Sequence, residues 1–289
     1  MNRPRTKRDP DNSVRAPGSR HRKILIAIER YELLDTKHLS TITGLSSKNI
    51  ELPLRQLFDA GLILKEPNNK YNRDRLKDPQ VYKRSDSGTD WLDRHNLIPY
   101  RATWITAGGQ ATHNLKVALA LASIEAAATA AGLRFIPWEE LLAGANEQTR
   151  KMKSPYRFHT SNGDLVPDAI FSIANAEDYH RLFFLEVDLS DHGEKVYKLK
   201  ADAYRELIFR GIYKRQLDVE QFATVLTITT SPSRTKMLKD LNNKHDPSFI
   251  KTMPEYGSFE VAPSPALSIL EDWQGAGLLT RPTHLKEMI

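Results

Sequence analysis

Residues Gly163-Asp-Leu-Val-Pro-Asp-Ala-Ile-Phe-Ser-Ile173 and, after a short polar gap, Arg181-Leu-Phe-Phe-Leu-Glu-Val-Asp-Leu-Ser190 decide how this chain is read. Both runs are dense in Ile, Phe, Val and Leu, the composition of strands buried in a sheet. The gap from Ala174 to His180 is short enough for an antiparallel hairpin. Three carboxylates, Asp168, Glu186 and Asp188, interrupt the apolar runs. A charge buried without a partner is costly, or else it takes up a proton and neutralises. Glu186 and Asp188 are two apart, so both side chains leave the same face of a strand. Counting back through the hairpin brings Asp168 level with them, and a slip of one residue would turn it to the opposite face. On that count three anionic oxygen donors converge, and a hard divalent cation, Mg²⁺ or Mn²⁺, would neutralise them. The plainer alternative is that each acid meets an arginine or lysine, or lies in water at a strand end.

Pro167-Asp168 followed by Glu186-Val187-Asp188 resembles the metal-binding signature of the PD-(D/E)XK nuclease superfamily. More narrowly, Leu165-Val-Pro-Asp-Ala-Ile-Phe171 and Phe184-Leu-Glu-Val-Asp188 resemble the replication-relaxation family of plasmids and mobile elements, over about residues 20 to 240. The resemblance implies an N-terminal winged helix joined to a nuclease-like domain with a central mixed sheet. It also implies a relaxase-like activity without the usual His-rich metal motif. One departure bears on catalysis: the superfamily places a lysine two residues after the glutamate, where this chain has Asp188. Hydrolysis then needs a lysine from elsewhere.

The chain has 289 residues, enough for two domains, with a formal charge of +6 and no cysteine. Neither disulfides nor thiolate metal sites can form. No run approaches the roughly 20 apolar residues of a membrane span, and the N-terminus lacks the apolar core of a secretory signal. These features lead us to expect a cytoplasmic, bacterial protein with no membrane partner.

Met1 to Lys23 carries eight Lys or Arg against two Asp, and Pro4, Pro10 and Pro17 exclude a long helix from residues 1–20. This reads as a basic flexible arm that lies along phosphate or remains solvated. Apolar residues at helical spacing then predict a helix over 21–30, a second over 37–43 closed by Gly44, and a third over 47–60 capped by Ser46. Strands at 62–65 and 80–84 flank a basic loop, and a further helix is expected over 85–96. Three helices with a short turn and a two-stranded wing make a winged helix-turn-helix over 21–98. Its third helix would enter the major groove of double-stranded DNA, an origin or operator, with Lys48, Asn49 and Arg55 at the base edges. Lys70, Arg73 and Arg75 in the wing loop would lie on phosphates, and Tyr71 could stack on a base. The alternative is a winged helix used for protein contacts.

Residues 110–245 read as the nuclease-like domain, in the order helix, strand, hairpin, helix, strand, helix. The alanine-rich helix over 112–131 suits close packing on a sheet, and by resemblance His113 near its start approaches the site. A neutral His113 is expected there, because a helix N-terminus disfavours imidazolium. Glu139, with Glu140 as the alternative, resembles the upstream acid that joins the metal cluster in the superfamily. Residues 146–161 form a basic loop. Val196, Leu199, Ala203 and Leu207 would face inward from a helix over 194–213, and Lys198 is the first choice to replace the absent strand lysine, ahead of Lys195 and Lys200. Tyr197 and Tyr204 are candidate nucleophiles of a covalent mechanism, against the simpler reading that both are core. Residues 246–289 form an extension packed on this domain, with a strand at 259–262.

The expected protein is thus α/β, or α+β, with an N-terminal winged helix-turn-helix and a PD-(D/E)XK restriction-endonuclease-like domain. Its expected function is site-specific DNA binding with metal-dependent nicking by Asp168, Glu186 and Asp188, alone or as a homodimer, with accessory mobilisation or replication proteins. The rival is a DNA-binding regulator or adaptor whose nuclease-like domain no longer hydrolyses.

Overall fold

The computed structural model describes residues 7–9, 13–14, 16–71, 79–98, 111–189, 193–241, 248–252, 269 and 274–275. The chain divides into two compact units, residues 1–126 and 127–289 apart from a short exchange at 263–265. The first unit therefore takes in most of the alanine-rich helix, beyond the boundary at 98–110 expected from the sequence.

In the first unit, α1 (Ser19–Tyr31) buries Ile24, Leu25, Ala27, Ile28 and Tyr31 along one side, the stripe its spacing predicts. Glu32 takes a positive φ of 64° and turns the chain into β1 (Leu33–Asp35), a short strand absent from the sequence reading. Asp35 ends that strand and caps α2 (Thr36–Thr43), its carboxylate accepting from the backbone N–H of His38 at 2.9 Å. Gly44, with φ 68°, closes α2 in the left-handed conformation that favours glycine. Ser46 caps α3 (Ser47–Asp59), and buried Pro53 sits inside that helix.

The chain then forms β2 (Ile63–Glu66), a 3₁₀ turn (Asn68–Tyr71), β3 (Val81–Arg84) and α4 (Asp86–Arg94). The three strands pair antiparallel in the order β1-β3-β2, with Leu34 opposite Tyr82 and Leu64 opposite Lys83. In the described part of the arm, the backbone N–H of Asp9 donates to Asp59 at 2.9 Å, and Arg8 lies 5.9 Å over the Phe58 ring. α5 (Ala111–Ala130) is tied to α1 and α2 by Glu125, which meets Arg30 at 2.7 Å, and by Ser123, 3.4 Å from His38 Nε2.

Gly88 lies where a Cβ would run into the carbonyl oxygen of Leu62, a backbone atom that cannot swing aside. Gly88→Ala is expected to destabilise the first unit by roughly 2–3 kcal/mol, read by urea denaturation. A variant as stable as the parent would show that this helix–strand contact is looser than described.

The second unit is built on a sheet whose described strands run in the order β11-β10-β9-β8-β7-β4. These are β4 (Arg134–Ile136), β7 (Ala169–Ala174), β8 (His180–Asp188), β9 (Ala223–Thr229), β10 (Ser248–Thr252) and β11 (Gln274–Gly275). β4, β7 and β8 pair antiparallel, β8, β9 and β10 parallel, and β11 antiparallel, so the sheet is mixed. Two of its strands come from the segment expected to be an extension, while the strand expected at 259–262 lies outside the described residues. α6 (Trp138–Gly144) and α7 (Glu147–Arg150) precede a separate hairpin of β5 (Phe158–Thr160) and β6 (Gly163–Leu165).

That hairpin corrects the reading of 163–173 as one strand. Pro167 lacks the N–H that a ladder needs, so pairing stops at Leu165 and resumes at Ala169 with a different partner. It also shows that part of the expected basic loop is helix and strand. α8 (Glu194–Phe209), α9 (Ile212–Leu217) and α10 (Pro232–Leu241) complete the unit.

Alternation along β8 sorts its side chains between two buried layers. Phe183 stacks on Phe171, and Phe171 on Phe135, each at 5.3 Å, on one face. Phe184 meets Tyr204 of α8 and Tyr213 of α9, both at 5.8 Å, on the other. Glu186 and Asp188 share the Phe184 face by parity.

Candidate functional site

Ala169 stands opposite Leu185 in the ladder, which puts Asp168, one residue earlier, across from Glu186. The Asp168 backbone N–H donates to the Leu185 carbonyl at 3.1 Å, and its carboxylate accepts from the Val187 N–H at 2.8 Å. The side chain is therefore anchored to the strand that carries Glu186.

Glu186 is buried, with Lys200 Nζ and the Tyr204 hydroxyl, both from α8, donating to its two oxygens. Burial pushes its carboxyl up to about 7, and the neighbouring Asp168 charge adds to this, while Lys200 and the Tyr204 hydroxyl work against it. Burial alone would lower the Lys200 ammonium, but Glu186, Asp168 and Asp188 together hold it above its ordinary value. Burial and then Glu186 carry the Tyr204 phenol well above its ordinary value.

Asp188 is held differently. Arg234, in the first turn of α10, directs Nε and Nη2 to the same Asp188 oxygen at 2.9 and 2.8 Å. Thr229 pairs with Asp188 across the parallel ladder, and its buried hydroxyl makes no hydrogen bond.

The three acids thus share one face, but their donors differ, and this corrects the expected metal set. Asp188 anchors an arginine, leaving Asp168 and Glu186 as the facing carboxylate pair. Among the described residues no group of three or more acidic or histidine side chains is arranged to hold a metal ion.

The lysine is also a different one. Lys200 reaches Glu186, whereas Lys195 and Lys198 are exposed. Two residues along a helix are about 200° of rotation, so turning Lys200 inward turns Lys198 outward. Tyr204 is a buried donor to Glu186 with a raised pKa, which does not suit the nucleophile considered for it, and Tyr197 packs on Leu238 and Ile250. Glu139 is buried in the first turn of α6, while Glu140 pairs at the surface with Arg134. His113 is half-buried in the first turn of α5, within the first unit.

On α3 of the first unit, Lys48, Asn49 and Arg55 are exposed together. Lys70 is exposed and pairs with Glu66, and Arg73 and Arg75 lie outside the described residues. Tyr71 is buried, its hydroxyl donating to Glu66 at 3.0 Å, so it is a packing residue and not the stacking platform considered for it. Arg234 was missed altogether. Its only sequence signal is a basic residue in the capped turn that follows a β-branched strand.

These features define a two-unit α+β protein with a central mixed sheet and a buried acid cluster at the carboxyl end of β8. The chain belongs to the replication-relaxation family, whose model matches residues 25–221. Membership ties it to the replication and mobilisation theme of that family. No curated protein and no solved structure matches the chain. Among the described residues no helix is long and apolar enough to cross a membrane.

Proposed function

We propose that this chain binds a site on double-stranded DNA through its first unit and nicks one strand at the Asp168–Glu186 pair of its second, in replication or mobilisation of a plasmid or mobile element. The observation that carries the reading is Lys200. It meets Glu186 opposite Asp168, supplying from α8 the cation that the PD-(D/E)XK pattern would take from position 188.

The donor set suits one hard cation. Three carboxylates against Lys200 and Arg234 leave a single negative charge, and the raised Glu186 pKa marks anionic charge that is incompletely offset. Mg²⁺ commonly takes one or two carboxylates and completes its shell with water and phosphate oxygens. Asp168 and Glu186 would hold Mg²⁺ or Mn²⁺, which when bound supplies Lewis-acid activation of water and of the leaving oxygen. The protein's own part is to orient that pair and exclude bulk water. Lys200 offers its ammonium to a phosphodiester oxygen, where developing negative charge needs a donor.

The first unit supports DNA binding through the order α1, α2, α3 and then a β2–β3 hairpin, the arrangement of a winged helix. The exposed Lys48, Asn49 and Arg55 face would read the major groove. Each phosphate contact removed by Lys48→Ala or Arg55→Ala is expected to flatten the log–log salt dependence of binding by about 0.9. An unchanged slope in both would move DNA binding off this helix.

The decisive assay is conversion of a supercoiled plasmid carrying the element's own origin to open circle in Mg²⁺ or Mn²⁺. Asp168→Asn, Glu186→Gln and Lys200→Ala are each expected to lose on the order of 100-fold in nicking while still binding DNA. Full nicking by Asp168→Asn would end the assignment. A second reading, a non-hydrolysing adaptor, draws on Asp188 being engaged by Arg234 and on both Glu186 oxygens accepting from protein donors. A plasmid left intact across metals and with native partner proteins present would favour it.

A further inference from the structure

The first half of α8 departs from the pattern its sequence sets. Val196 and Leu199 stand three apart, the spacing of a buried stripe, yet they are 50% and 49% exposed. The inward positions go instead to Lys200 and Tyr204 on Glu186, and further along to Ala203 and Leu207. Burial alone would select the reverse rotation, with the aliphatics inside and the lysine in water. The exposed pair is interleaved with Lys195 and Lys198, both exposed, on the helix whose next residue is Lys200. Nearby, Asp202 is engaged by Arg205, and Glu194 lies in the first turn, where the helix dipole favours it. The result is two aliphatic tips framed by cations beside the acid cluster.

We propose that Val196 and Leu199 form a wedge that enters between stacked bases and opens duplex DNA beside Glu186. Proteins that kink DNA do so by inserting aliphatic side chains between base steps while basic residues hold the flanking phosphates. Lys195 and Lys198 provide that frame, and the complementarity is to a polyanion with an apolar interior, which a base-paired duplex is. The inference rests on the nuclease-like reading of the second unit and adds the state of its substrate: a locally unpaired strand presented to Asp168 and Glu186.

The test uses the full chain and the double variant Val196→Ala/Leu199→Ala. Both positions are exposed and alanine keeps the helix, so the fold is expected to be undisturbed. On a plasmid carrying the element's origin, wild-type protein is expected to make thymines within the bound site reactive to permanganate, and the variant to bind without doing so. Nicking of duplex by the variant should fall by about tenfold or more, whereas the same site containing a short mismatched bubble should be cut within about twofold of wild type. Binding without thymine reactivity in wild type overturns the wedge, as does a variant that opens DNA normally. A variant that opens DNA normally but no longer self-associates would also overturn it, assigning the pair to a second copy of the chain. Permanganate reactivity needs no cleavage. Opened DNA that is never nicked would therefore remove the nuclease reading and leave the wedge standing.

Discussion

Arg234→Ala is expected to lower the stability of the second unit by about 3 kcal/mol, a fall of roughly 10 °C in its melting temperature. The side chains of Arg234 and Asp188 are each only 10% exposed, and two guanidinium N–H groups meet one carboxylate oxygen. Removing the guanidinium leaves a mostly buried carboxylate without it, and breaking buried pairs from one side costs about 3–5 kcal/mol. The lower end applies because the Lys200 ammonium also feels Asp188 and offsets part of the loss. Removing both charges in Asp188→Asn/Arg234→Met should recover most of the stability, since a desolvated pair contributes little net. Arg234→Lys should recover less, as an ammonium cannot offer two N–H groups held in one plane. Calorimetry with the single variant melting within a degree or two of wild type would show that the pair does not organise this end of the sheet.

The metal-free protein in EDTA should lose stability as pH rises from 4.5 to 7. Glu186 has its folded pKa raised from an ordinary 4.5 to about 7, so across that window the folded chain holds a proton that the unfolded chain has released. Stability then falls with rising pH, by roughly 3 kcal/mol in all, from about 1.4 kcal/mol per pH unit. Lys200 does not confuse the sign. Its folded value lies above 10.5, so its contribution is in place throughout the window. Asp164 and Glu206 have lowered values, and their contributions are lost only on further acidification. Glu186→Gln removes the titrating group and should flatten the slope. Urea titrations of wild type and variant at several pH values check this, and parallel curves for the two would place the titration elsewhere.

These expectations show where local pattern was enough and where it was not. Helix periodicity, the caps at Asp35, Ser46 and Ser85, and Gly44 are set within a few residues of chain. The elements from α1 to α4 were accordingly legible, apart from the three-residue β1. The β7–β8 hairpin and its acids were legible for the same reason: a period of two decides which side chains share a face, and the short turn allows one register.

What the linear pattern did not carry is which partner each charge would find. Lys195, Lys198 and Lys200 are equivalent as text. Their roles separate only when Glu186, fourteen residues upstream of Lys200, rotates α8 to bring one ammonium inward. That rotation also put Val196 and Leu199 in water against their own periodicity. Arg234 reaches Asp188 across forty-six residues, a meeting made by parallel pairing of β8 and β9 and invisible to any local window. Spacing within one strand or helix follows from backbone geometry, so the acids and their shared face could be read from the chain. Ion pairing between elements depends on packing that brings distant residues together, and only the folded arrangement of α8 and α10 over the sheet chose Lys200 and Arg234.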